Sequence, residues 1–122
     1  MLISGQQEAK IIGKPFAVCV VDAGGHVLAS FRDVTAAPAA GHSAESKART
    51  AAYLHADTGG VPATSPLIPA LTSGLPYPVN VMPGGVVLRL DGTVIGAVAA
   101  AGSVDPAEDA RVAKVAASAL DA

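Results

Sequence analysis

Only Asp91 and Gly92 separate two apolar runs, residues 86–90 (VVLRL) and 93–101 (TVIGAVAAA), and this spacing limits the chain more than any other feature. Two residues are too few for a crossover, so the runs must return on each other as antiparallel strands. Asp-Gly suits a type I′ turn, where both central residues need positive φ. Gly96 inside the second run leaves room for close backbone approach, and a packed helix is expected there. Residues 16–21 (FAVCVV) form a second unbroken run, the pattern of a strand buried on both faces. Asp22-Ala23-Gly24-Gly25 turns it, and residues 26–32 (HVLASFR) return as its partner. In that partner Val27, Ala29 and Phe31 share one face, and Leu28, Ser30 and Arg32 the other.

Helical signals fill the intervals. Residues 4–13 read as a short helix stopped at Gly13, with Pro15 beyond it. Ser43 is the expected N-cap of a helix running to about Leu54. Ala44, Ala48, Ala51 and Ala52 give that helix a narrow face of methyl groups, with Lys47 and Thr50 expected on a different face. Six of the nine prolines fall between Gly59 and Gly85, so most of that stretch must be extended or turning, with a short helix around residues 67–71. Asp105, Pro106 and Glu108 then make a capping-box start for a last helix. Its apolar stripe is Val112, Val115, Ala116, Ala119 and Leu120, opposite Asp109, Arg111, Lys114 and Ser118. The sum is an α/β (α+β) fold: a roughly five-stranded antiparallel sheet between helical layers, in a single domain over residues 1–122.

Composition narrows the function. Hydrophobic residues are 51% of the chain but aromatics only 3%, so the core must be built from small side chains that let sheet and helices approach closely. With only 15% charge, more apolar surface is present than one small core hides, and a homo-oligomer is expected. No apolar run reaches the roughly 18 residues a membrane span needs. The opening MLISGQQEAK lacks the basic lead-in of a signal peptide. A lone cysteine, Cys19, cannot close an internal disulfide and fits a reducing, cytoplasmic compartment. The net charge of −2, with no basic run, argues against a nucleic-acid partner. No Cys/His cluster has zinc spacing, and no GxSxG, Walker loop, GxGxxG or HExxH occurs, so Ser43 lacks the signal of a triad.

Five segments together resemble the GlcG/HbpS-like family of haem-degrading-type proteins, also met as the C-terminal domain of PduO-type proteins. They are Val20-Val21-Asp22-Ala23-Gly24-Gly25-His26, Lys47-Ala48-Arg49-Thr50-Ala51-Ala52, Pro83-Gly84-Gly85, Asp91-Gly92-Thr93-Val94-Ile95-Gly96-Ala97 and Gly102-Ser103. Their order and spacing match over roughly residues 14–120. The resemblance implies a profilin-like α/β/α sandwich, homo-oligomers that are often rings or octamers, and haem or another tetrapyrrole as ligand in some members. Two departures are a shorter first helix and Val86-Val87-Leu88 after Gly84-Gly85, where the family pattern has a proline.

The candidate ligand-binding residues are His42, Lys47, Thr50, Met82, Gly84 and Gly85. His42 could serve as a haem axial ligand, as an acid–base group or simply as a solvent-facing histidine, since an imidazole can bind a metal or carry a proton. His55 lies about 220° further round a continuous helix, so the two cannot chelate one ion. His26 stands on a hairpin rim. Lys47 could receive a carboxylate or propionate, or pair with an acid across an oligomer interface. Pro83-Gly84-Gly85 is either an anion-binding nest or a tight turn. Met82 offers a thioether to iron or fills a gap. Cys19 reads as an inert core thiol. A small-ligand binding module, with haem as the family-implied cofactor, is the leading reading. The alternative is a small isomerase- or lyase-type enzyme moving a proton on a carbonyl-bearing metabolite through Lys47 or His42. A third is an accessory protein whose oligomer is itself the function.

Overall fold

A computed structural model describes residues 1–62 and 64–121. The order is α1 (Leu2–Ile12), β1 (Ala17–Asp22), β2 (Val27–Arg32), α2 (Pro38–Leu54), α3 (Leu67–Gly74), β3 (Gly85–Leu90), β4 (Thr93–Ala101) and α4 (Pro106–Ser118), closed by a 3-10 turn. The four strands form one antiparallel sheet in the order β2-β1-β4-β3. Four strands replace the five expected, because the proline-rich stretch contributes α3 and turns to the described residues and adds nothing to the sheet.

Alternation along β1 and β4 sends side chains to two cores. Ala17, Cys19, Val21, Ala97, Ala99 and Ala101 meet α2, in a cluster where ten of twelve members are alanines. So small a set of side chains brings the α2 backbone close to the sheet. Phe16, Val18, Val98 and Leu88 meet Val112, Ala113 and Ala116 of α4 on the opposite face, where α1 packs alongside α4. β2 and β3 are the edge strands; β2 is exposed along most of its length, with only Phe31 half-buried.

Local expectations fare unevenly. Asp91 and Gly92 have φ of 52° and 81°, the paired positive values that a type I′ turn requires. Gly96 is tight for a different reason than expected. A Cβ there would run into the carbonyl oxygen of Val21, so the neighbouring strand, not a helix, excludes a side chain. α2 starts at Pro38 after an extended Ala37, since proline's fixed φ and missing N–H suit a first turn. Ser43 is therefore inside the helix and caps nothing. Asp105 does cap α4, accepting the Ala107 N–H at 3.0 Å. The capping box does not close, because Glu108 bonds Ser103 and Lys14, and the Ser103 hydroxyl takes the Asp105 N–H.

Ala51 is 0% exposed in the alanine cluster, so Ala51→Leu should overpack it and destabilise the fold by roughly 1–3 kcal/mol. Asp105→Ala should cost about 1 kcal/mol from the lost cap. Chemical denaturation of both variants should rank the first as the larger loss.

Candidate functional site

Positions 44, 47, 48 and 51 are spaced i, i+3, i+4 and i+7, the signature of one helix face. Lys47 accordingly lies within the alanine stripe of α2 and is 2% exposed, not on a separate face. Its Nζ stands 2.9 Å from Asp109 Oδ2 and donates to the Ala100 carbonyl at 3.2 Å. The other Asp109 oxygen accepts the Ser103 N–H at 3.0 Å. Asp109 is thus buried as well, and the polar stripe expected on α4 is corrected at this position. The aspartate is reached through a backbone without side-chain bulk: at Gly84, φ 128°, a Cβ would lie 2.6 Å from Ala100 O and 2.9 Å from Lys47 Nζ. The lysine that the sequence suggested would meet an anionic ligand already meets an anion, in its own chain.

Thr50 and the two glycines also have partners. The Thr50 hydroxyl donates to Ser46 O at 2.8 Å and accepts the Asn80 N–H at 3.0 Å. The Asn80 amide donates onward to Ser43 Oγ and Ser46 Oγ, fastening the proline-rich segment to α2. Sequence reasoning missed Asn80; the run of hydroxyls at Ser43, Ser46 and Thr50 on one side of α2 was the available signal. Gly85 N–H donates to Thr58 Oγ1 at 2.8 Å, and Gly84 O accepts Ala100 N–H at 2.9 Å. The glycines therefore form a turn feeding β3, and the Gly85 N–H of the suggested nest is engaged.

His42 is placed differently. It is exposed on α2 and, with Glu45, lines two grooves. One, of about 330 Å³, runs between α2 and β1–β2 and includes Cys19, Ser30, Phe31 and Arg32. The other, of about 260 Å³, lies between α2 and Tyr77-Pro78 of the proline-rich segment. Arg49 shapes the second. Its Nε donates to Gly25 O at 3.1 Å, it pairs with Glu45, and its guanidinium lies 4.0 Å over the Tyr77 ring, which stacks on Tyr53. Burial pushes the Cys19 thiol up to about 11, with the Glu45 carboxylate adding to the rise and Arg49 opposing it, so the thiol stays protonated at neutral pH. Met82 is 52% exposed. His26 pairs loosely with Asp22 at 3.3 Å on the first hairpin, and His55 ends α2 in a left-handed conformation. The geometry brings Lys47 and Gly84 together in one buried cluster, and leaves His42 and Met82 as the outward-facing donors.

A family model described as "Haem degrading protein HbpS-like" matches residues 2–118. The chain belongs to the HbpS-like family. It is 35% identical over 108 residues to protein GlcG of Escherichia coli K12, spanning 80% of this chain and 72% of that one. Among solved structures, a PduOC–haem complex superposes with a TM-score of 0.80 at 25% identity, over 96% of this chain and 86% of its own. Streptomyces reticuli HbpS, as a double mutant, superposes at 0.86 and 26% identity, over 97% of this chain and 80% of its own. No helix among the described residues is long and apolar enough to cross a membrane, and they contain no cluster of three metal-ligating side chains.

Lys47→Met strands the Asp109 carboxylate in the core and should cost about 3–5 kcal/mol, whereas Lys47→Met/Asp109→Leu should recover most of it; denaturant midpoints of the three proteins test this. Asp22, Asp33 and Glu108 are held below the usual carboxylate range, chiefly by the His26 N–H, the Thr35 N–H and the Lys14 ammonium respectively. Groups lowered in the folded state stabilise it above their unfolded value of about 4, and that contribution disappears as pH falls through the lowered value. The melting temperature should therefore fall on acidification below about pH 4, and Asp33→Asn should flatten that fall.

Proposed function

We propose that this chain is a small-ligand binding module for haem or a related tetrapyrrole, working in the cytoplasm as a homo-oligomer. The observation that carries the reading is His42: an exposed imidazole on the ridge between two grooves, with no hydrogen bond among the described residues. An imidazole is a common axial donor to haem iron, and the Met82 thioether is a second exposed donor of the type that iron accepts. Arg49 over Tyr77 gives the neighbouring groove a flat, cationic wall suited to a planar anion. The haem complex of PduOC, which shares this fold, supports the ligand class.

Each groove sits near or below the lower end of the roughly 300–1,000 Å³ typical of small-molecule sites. A macrocycle would exceed either groove alone, so a second copy of the chain completes the site. Exposed Ile3, Ile11, Leu28 and Val104 supply apolar surface for that assembly. In this reading the Lys47–Asp109 pair, Thr50 and the Gly84-Gly85 turn hold α2 and the proline-rich segment in place and do not touch the ligand. The alternative of proton transfer through Lys47 is weakened by the same geometry, because an ammonium bonded to a carboxylate and a carbonyl has no free lone pair to act as a base.

Hemin added to the wild type should give a saturable Soret shift, and His42→Ala should weaken binding by at least about tenfold, the scale of a lost coordinating contact. An unchanged titration for His42→Ala would remove it as the axial donor. Light scattering should return a multiple of 12.0 kDa, and a clean monomer at micromolar concentration would overturn the assembly.

A further inference from the structure

A sheet edge carries a row of unpaired backbone groups, and this sheet has two such edges. The β3 edge is closed by the segment that follows α2. Gly85 O accepts the Thr58 N–H at 3.0 Å, and the Gly85 and Val87 N–H groups donate to the Thr58 hydroxyl and the Asp57 carboxylate. The β2 edge has no such cover among the described residues.

Which groups β2 leaves open follows from its ladder. The Asp33 N–H donates to Phe16 O at 3.0 Å, and bonded positions alternate along an antiparallel pair. Asp33, Phe31 and Ala29 therefore face β1, and Ser30 and Arg32 turn their N–H and C=O outward. Towards Val27 the ladder skips Leu28 at a bulge, so residues 29–32 are the regular stretch. No proline or lysine guards it, and its one charge, on Arg32, is drawn aside to Ala36 O at 2.6 Å. Val27 and Leu28 beside it are 41% and 65% exposed.

We propose that β2 pairs with β2 of a second copy, antiparallel about a twofold axis at Ser30, joining two four-stranded sheets into one. The proposal rests on the homo-oligomer reading above and gives that assembly its seam. A twofold between antiparallel strands stands perpendicular to the sheet, so α2 of both copies lies on the same face. Centred on Ser30, it bonds the outward groups of Ser30 to their own copies, sets Ala29 opposite Phe31, and sets Arg32 opposite Leu28. No charge meets its like across the seam, whereas an axis at Ala29 would carry the seam onto the bulge. The occupant is a second copy because of what borders the edge. Ser30, Phe31 and Arg32 line the groove of about 330 Å³ that His42 also lines. The axis places two such grooves side by side on one face, which supplies the room that one groove lacks for a macrocycle.

The test is crosslinking of Ser30 to itself. Residues opposed in a bonded antiparallel pair stand about 5.5 Å apart at Cα, within reach of a disulfide. A Cys19→Ala background removes the chain's own thiol. In it, Ser30→Cys at micromolar concentration under oxidised glutathione should collect as a disulfide dimer on a denaturing gel. Leu90→Cys, on the far hairpin and 54% exposed, should crosslink at least about tenfold more slowly. Ser30→Lys opposes two like charges at the axis, so it should raise the concentration for half-assembly about tenfold or more, with recovery as salt is added. Leu90→Lys should leave assembly unchanged, and circular dichroism should show all variants folded. An assembled wild type in which Ser30→Cys crosslinks no faster than Leu90→Cys, or in which Ser30→Lys assembles fully, overturns this seam and leaves the oligomer standing. A monomeric wild type overturns both. Hemin is absent from every arm, so the seam is judged apart from the ligand.

Discussion

A buried lysine and a buried aspartate, 2.9 Å apart, tie the two helical layers together through the end of the sheet. Taking both charges out of water costs several kcal/mol, and their attraction offsets it only because the remaining polar groups are satisfied. Here they are: Lys47 also finds Ala100 O, and Asp109 finds the Ser103 N–H. The pair therefore fixes α2, β4 and the start of α4 in one register. A shift of any of the three would strand a charge in the interior. The Gly84 turn is drawn into the same constraint, since the space beside the ammonium admits no side chain there.

That register determines where open surface remains. α2 lies mainly over β1, β4 and β3, and α1 with α4 covers the other face, so neither layer reaches fully across β2. Both the groove containing His42 and a second groove, between α1 and β2, are consequences of this incomplete cover. They share Phe31 and Arg32, lining residues on one edge strand seen from its two sides. The functional geometry thus comes from a layer that is narrower than the sheet it covers.

Much of this was legible in the residues, and the failures have a common cause. Local chemistry announced both hairpins, the alanine face and the Asp105 cap, because turn dihedrals, methyl periodicity and a first-turn acid are properties of short segments. The five family segments were equally local. The Lys47–Asp109 pair joins positions 62 apart, so no window along the chain contains it. Polar character pushed both residues towards the solvent face in a pattern argument, although the spacing of Lys47 from Ala44, Ala48 and Ala51 already placed it in the buried stripe. Likewise the N-cap of α2 was drawn to the hydroxyl of Ser43 when Pro38 supplied the real start. Gly96 was assigned to a helix contact because sequence shows that space is needed, not which neighbour needs it. His42 was recognised as a residue type, but its position on a ridge between grooves depends on the missing cover over β2, which only the assembled layers define.

The alanine cluster under α2 also bears on how the molecule responds to temperature. The heat-capacity change of unfolding scales with the apolar area newly exposed to water. A methyl group exposes far less than a leucyl or phenylalanyl side chain, and ten of the twelve residues in that cluster carry only a methyl. A layer held by backbone proximity instead of large side chains thus adds little curvature to the free energy of unfolding. The stability of this fold should change gently across a broad thermal range, with cold weakening it less than it weakens a fold whose core is filled by large rings.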